Sequence, residues 1–309
     1  MLAPLAASLA AEVQRVVTIR TNDVVAFVGG ADVSAASFTG HLESLLAVRY
    51  PGARFRNFGW EGDTVFSQPR EVGFPALVDQ LRRARVTVVC LQFGRAEALG
   101  GKYSVPEFYA AYERLVIACA QQMPRIVLVT PPPFERGEDS LPDLSKRNAP
   151  LAAHANAVRT LARNRSLFLV DLFTALGAGK NERPRLTDNG LQLTPRGHAL
   201  IAAAFLRELG SDQLADQPGD PAGTGAWPET RFEKLRQTVM EKNQLWFNYW
   251  RPQNWAFLGG DRVTQPSSRD HRDPKVRWFP AEMEKYVPLI KAREEEMEKI
   301  AAHIRGGTR

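Results

Sequence analysis

The chain has 309 residues but only two cysteines and five histidines. Two isolated cysteines exclude a disulfide scaffold and any CxxC redox or zinc arrangement. Cys90 in Val86-Thr-Val-Val-Cys-Leu91 and Cys119 in Leu115-Val-Ile-Ala-Cys-Ala120 read as small core residues. His41, His154, His271 and His303 stand singly, without ligand spacing, so no metal site is expected. No run approaches the ~18 apolar residues that a membrane-spanning helix requires. There is no Walker sequence, and Gly29-Gly30 alone is not a dinucleotide fingerprint, so no cofactor is expected. Excess charge is scarce as well. Forty Lys and Arg against 34 Asp and Glu leave a net +6, with both signs interspersed along the chain. A nucleic-acid partner, which needs a clustered basic face, is therefore not expected.

What remains is the composition of an ordinary globular protein, 44% hydrophobic and 24% charged. Short apolar runs alternate with helical patterns from residue 23 onward. Strands are expected at residues 24–28, 54–58, 86–93, 125–129 and 167–171. Helices are expected at 35–49, 72–84, 105–122, 149–164 and 197–209. Pro131-Pro-Pro133 ends the fourth strand, because proline cannot donate to a ladder. This rhythm predicts a three-layer α/β/α sandwich around a five-stranded parallel sheet, a flavodoxin-like arrangement occupying residues 23–210. Such sheets bind ligands beyond the carboxyl ends of their strands.

Residues 211–227, rich in Gly, Pro and Asp, read as a linker. Residues 228–309 read as a helical C-terminal extension, with Phe232, Leu235, Val239 and Trp246 on one stripe and a charged helix from Pro280 to Ile304. Residues 260–275 read as an extended polar loop. Trp246, Trp250 and Trp255 crowd segment 245–255, either as a platform for a sugar ring or partner surface, or as the anchor of the extension on the main domain. At the other end, residues 1–11 are apolar and Ala-rich, and Ser8-Leu9-Ala10 has the small-residue pattern of a signal-peptidase site. Residues 1–22 are thus read as a leader remnant and lead-in, making a periplasmic or secreted location the expectation.

Four segments carry a resemblance to the SGNH/GDSL hydrolases, a family of esterases and lipases acting on acylated small molecules, sugars and lipids. Phe27-Val-Gly-Gly-Ala-Asp-Val33 resembles the first block, Gly-Asp-Ser. Gly30 stands at its aspartate and Ala31 at its nucleophilic serine. Asn57-Phe-Gly-Trp-Glu-Gly-Asp-Thr64 is similar to the second, with Gly62 at the oxyanion amide. Phe93-Gly-Arg-Ala-Glu97 resembles Gly-x-Asn-Asp, with Ala96 at the oxyanion asparagine and Glu97 at the aspartate. Asp188-Asn-Gly-Leu-Gln-Leu-Thr-Pro-Arg-Gly-His198 resembles the last block, with Asn189 at the acid and Gln192 at the base. A weaker resemblance links the Lys-Asn-x-x-Trp-Phe and Trp-Arg-Pro segments to planctomycete-type SGNH-like proteins, which implies an extracytoplasmic setting.

A methyl group cannot attack a carbonyl, and a carboxamide cannot shuttle a proton near neutral pH. The resemblance therefore implies a hydrolase scaffold without its catalytic groups, a pseudoenzyme. Such a domain would bind a small acylated or carbohydrate ligand in a strand-end pocket, or a protein through the C-terminal arm. Gly30, Asp32, Asp63, Arg95, Glu97 and Asp188 are the pocket candidates. The competing expectation is an active ester hydrolase with a rearranged site, either Ser34, Asp188 and His198, or the carboxylates Asp32, Asp63 and Glu97. Against the carboxylate set, Asp32 reads as a helix cap and Asp63 as a turn residue. His198 reads as a packing residue of the last domain helix.

Overall fold

The computed structural model describes residues 17–177 and 184–307. The apolar stretch read as a leader remnant, residues 1–11, lies outside them. In chain order the elements begin β1 (Val24–Gly29), α1 (Ala31–Thr39), α2 (His41–Arg49), β2 (Arg54–Asn57), α3 (Leu77–Arg83) and β3 (Val88–Gln92). They continue α4 (Arg95–Gly100), α5 (Val105–Ala120), β4 (Arg125–Val129), α6 (Asn148–Asn164), β5 (Phe168–Val170), α7 (Leu172–Leu176) and α8 (Pro195–Glu208). The C-terminal part comprises α9 (Asp212–Asp216), α10 (Thr230–Trp250), α11 (Trp255–Leu258), α12 (Trp278–Glu284) and α13 (Tyr286–Gly306).

The five strands form one parallel sheet in the order β2-β1-β3-β4-β5. Side chains alternate across it with the strand period of two. Val25 and Phe27 enter one core, with Val88, Cys90 and residues of α2 and α8. Val24, Ala26 and Val28 enter the other, with Val89, Leu91 and residues of α3, α5 and α6. Burial on both faces is why these strands read as continuous apolar runs. Both cysteines are free and buried, as expected of core residues.

Several boundaries differ from the sequence reading. The helix expected over 35–49 is two helices, broken at Gly40, whose φ of +72° is a left-handed conformation that glycine adopts without strain. The helix expected over 72–84 begins only at Leu77. The charged C-terminal helix is also two, α12 and α13, meeting at Lys285. The segment read as a linker is packed: it contains α9, and the buried Trp227 ring meets His41 edge-on at 4.9 Å.

The C-terminal helices complete the fold. β2 is an edge strand, and an uncovered edge is a template for unwanted pairing. Its alternate carbonyls, Phe55 O and Asn57 O, are taken by α10: Lys242 Nζ donates to the first at 3.1 Å and Trp246 Nε1 to the second at 2.8 Å. Upstream on the same helix Phe232, Leu235 and Val239 join the first core, while Trp246 joins the second. The stripe seen in the sequence therefore wraps the sheet edge.

Candidate functional site

The four blocks gather at the carboxyl ends of β1, β2 and β3 and in the loop before α8. Parallel pairing brings the first three together. Trp60 N donates to Gly29 O at 3.0 Å, and a side chain at Gly30 would meet Asp63 O at 3.0 Å. Gly59 lets the second block pass directly against the backbone of α1 at Ser34, where any Cβ would collide. Asp32 on α1 receives Arg95 Nη1 on both oxygens, at 2.8 and 2.9 Å, joining the first block to the third. Glu97 joins the third to the second, since one oxygen accepts from Val65 N and the other from Gly94 N, each at 2.8 Å.

The last block arrives through β4. Glu135 Oε2 accepts from Leu186 N, Thr187 N and Thr187 Oγ1, and Glu135 N donates to Gly190 O. Leu191 then packs against the small cluster of Ala98, Phe134 and Leu151, and the Arg95 guanidinium sits over the Phe134 ring at 4.9 Å.

Ala31, Gly62, Ala96 and Gln192 are all exposed at this edge. Asn189 and Gln192 lie together, Asn189 Nδ2 donating to Gln192 Oε1 at 3.1 Å. Asn189 Oδ1 accepts from Leu191 N and Gln192 N, a local turn that holds the pair in place. Two amides are thus held against each other within one short turn.

The pocket candidates are held in ion pairs and caps. Asp32 does not cap α1, whose N-cap Gly30 has no side-chain bond; Asp32 is drawn instead to Arg95. Asp63, expected to fix its turn, is buried and paired with Arg70 at 2.6 and 2.8 Å. Burial raises its carboxyl above the usual range, with Arg70 pulling the other way. Glu97 reaches back to the start of α4, where its Oε2 accepts from Gly94 N. Asp188 is exposed in its turn.

The alternative triad is not assembled. Ser34 Oγ donates to Glu61 Oε1 at 2.8 Å, while His198 is buried and its Nε2 has no partner. Burial pushes the His198 imidazole down to about 4; Asp32 opposes this and Arg95 adds to it.

The sequence reading missed the groups that brace the second block. Arg251, just beyond α10, donates to Glu61 Oε2 at 2.8 Å and stacks over Trp60 at 3.7 Å. Arg70 lies over the same ring at 4.1 Å. Arg251 lies in the Trp-Arg-Pro segment noted in the sequence, but the contact that either arginine makes is decided by the fold. The C-terminal arm thereby fixes the turn that presents Gly62. Among the described residues, no cluster of His, Cys, Asp and Glu fits a metal ion, and no helix is long and apolar enough to cross a membrane.

Comparison with known proteins places this geometry. No curated protein matches the chain. Among solved structures, a gut microbial diltiazem-metabolizing enzyme, BT4096, is similar over 95% of this chain and 96% of its own, at 14% identity and a TM-score of 0.54. The acetylxylan esterase Axe2 from Geobacillus stearothermophilus is 19% identical, covering 62% of this chain and 96% of its own, with a TM-score of 0.46. LAE5, an α/β hydrolase from the metagenome of Lake Arreo, Spain, is 20% identical over 63% of this chain and 98% of its own, with a TM-score of 0.49. At these identities the likeness is one of fold. The model of the GDSL-like lipase/acylhydrolase family matches residues 24–200, more than half of the chain and all four blocks. The chain belongs to the GDSL-like lipase/acylhydrolase family.

Proposed function

We propose that this chain is a non-catalytic member of its family, whose strand-edge hollow binds a small ligand without hydrolysing it. One observation supports the reading: Ala31, Ala96 and Gln192, all exposed, are two methyl groups and a carboxamide at the positions to which the family resemblance assigns nucleophile, oxyanion donor and base. Acyl transfer needs an oxygen that can be deprotonated and a group that takes the proton. The nearby Ser34 hydroxyl is engaged with Glu61, and the His198 ring is buried. The second reading, an esterase with a rearranged site, has the weaker support for that reason.

Fluorophosphonate labelling and turnover of p-nitrophenyl acetate test the proposal. The protein is expected to show neither. An Ala31→Ser/Asn189→Asp/Gln192→His variant is expected to gain labelling at residue 31, because Gly62 and the pairing of residues 189 and 192 are already in place. A labelled serine in the unaltered chain would overturn the reading.

We also propose an extracytoplasmic location, supported by the small-residue pattern Ser8-Leu9-Ala10. N-terminal sequencing of the protein from its native cells is expected to find a start just after this site. An intact Met1 in the cytosolic fraction would refute it.

A further inference from the structure

A second concave site lies away from the strand-edge hollow, between α3 and the C-terminal helices α10, α11 and α12. Its volume is ≈ 400 Å³, within the ~300–1,000 Å³ range of small-ligand sites. Six aromatic rings line it: Phe58, Phe74, Trp246, Tyr249, Trp250 and Trp255. The rings hold one another edge-to-face, Phe58 with Trp250 at 5.1 Å and Phe74 with Trp255 at 4.7 Å. Such contacts fix ring orientation. Phe74, Tyr249, Trp250 and Trp255 are only half-buried, which leaves part of each ring uncovered.

The lining also contains three polar side chains, Gln80, Arg83 and Glu284. Gln80 is 7% exposed; its Nε2 donates to Pro75 O at 2.7 Å and its Oε1 has no partner. A buried acceptor without a donor is costly. Arg83 is exposed at the end of α3, and Glu284 is exposed on α12, where it accepts from Tyr249 Oη at 3.3 Å.

These groups discriminate among ligand classes. Arg83 and Glu284 contribute one charge of each sign, so the lining's net charge favours neither a cation nor an anion. A purely apolar ligand would leave Gln80 Oε1 unsatisfied. A neutral polyhydroxylated ring meets these conditions, with an apolar face for the aromatic rings and hydroxyls that both donate and accept. We propose that this groove is a carbohydrate-binding site for a neutral saccharide. The proposal is independent of whether the strand-edge hollow is catalytic.

The test uses the full chain and three probes, cellobiose, xylobiose and N,N′-diacetylchitobiose, with tryptophan fluorescence and calorimetry as readouts. At least one probe is expected to bind and to shift the tryptophan emission. Gln80→Leu, Trp255→Ala and the exposed-site change Arg83→Ala are expected to weaken that binding about tenfold or more, a loss of ~1.4 kcal/mol. Arg83→Ala touches no buried contact and guards against a loss caused by misfolding. The proposal fails if none of the three probes binds, or if all three variants bind like the unaltered chain. It also fails if tetramethylammonium or an oligoproline peptide binds more tightly than any sugar. Weakening by Gln192→Trp, with the groove variants unaffected, would move the sugar to the strand-edge hollow and overturn the groove.

Discussion

Lys242→Ala is expected to lower the unfolding free energy by about 3–5 kcal/mol, the usual result of removing one partner from a buried ion pair. Lys242 is 0% exposed, and its Nζ lies 2.6 Å from Glu43 Oε1. It also donates to Phe55 O at 3.1 Å and to Asn243 Oδ1 at 2.6 Å, while Asn243 Nδ2 donates to Ser37 O at 3.1 Å. Burial pushes the Lys242 ammonium down and the Glu43 carboxyl up, and each charge pulls the other back. The alanine variant leaves Glu43 buried without its ammonium partner and Phe55 O with Arg56 Nη1 alone as side-chain donor, at 2.8 Å. A Glu43→Leu/Lys242→Met pair removes both charges together and is expected to recover most of the loss, since apolar replacement of a buried pair is often neutral. Urea unfolding of the two variants measures the difference. A single variant within about 1 kcal/mol of the unaltered chain would show that this contact does not hold α10 to the sheet.

Acid is expected to destabilise the protein well before its carboxylates titrate, through two buried histidines. His41 is 0% exposed, with Nε2 bonded to Gly225 O at 2.7 Å and Nδ1 unpartnered. Its pKa is pushed down to about 4, first by burial and then by Arg236 and His198, against Glu233 and the Gly225 bond. His198, 5% exposed, is likewise held at about 4. In the unfolded chain both rings titrate near ~6.5. Between about pH 6.5 and 4 the unfolded state therefore binds more protons, so stability is full above that window and falls as the pH drops through it.

Each ring accounts for about 2 kcal/mol of the loss between about pH 7 and 4.5. Glu43 and Asp63, whose carboxyls burial raises, act in the opposite direction, so the informative quantity is a difference between proteins. His198→Gln and His41→Gln should each flatten the pH dependence of the urea midpoint. An unchanged slope in both would mean that the rings reach solvent and protonate in place.

How far the sequence carries can be traced through particular residues. The apolar runs 24–28 and 125–129 and the Ala-rich helical pattern 149–164 match their elements in the structure to within about one residue at each end, because periodicity and strand burial are local properties. Residues 189 and 192 could be placed for the same reason: the turn that joins them spans four residues and is closed by Asn189 itself. Gly40 was harder. A glycine inside a helical pattern is compatible with continuation, and the break shows only in its left-handed φ of +72°.

The long-range pairs lay beyond any local pattern. Arg70 with Asp63, Arg95 with Asp32 and Arg251 with Glu61 join residues 7, 63 and 190 positions apart. Charged side chains usually read as solvated surface, so nothing local distinguishes these from the rest.

By itself, the sequence determined the strand–helix alternation, the parallel sheet it implies, and the family resemblance carried by four short blocks, since residue identity and short-range periodicity need no partner to be read. Only the tertiary structure decided that the C-terminal helices belong to the sheet, that Arg251 braces the Gly62 turn, and that six aromatic rings enclose a groove. Those outcomes depend on which distant surfaces meet, and burial of Lys242 and Trp246 against β2 is what brings them together.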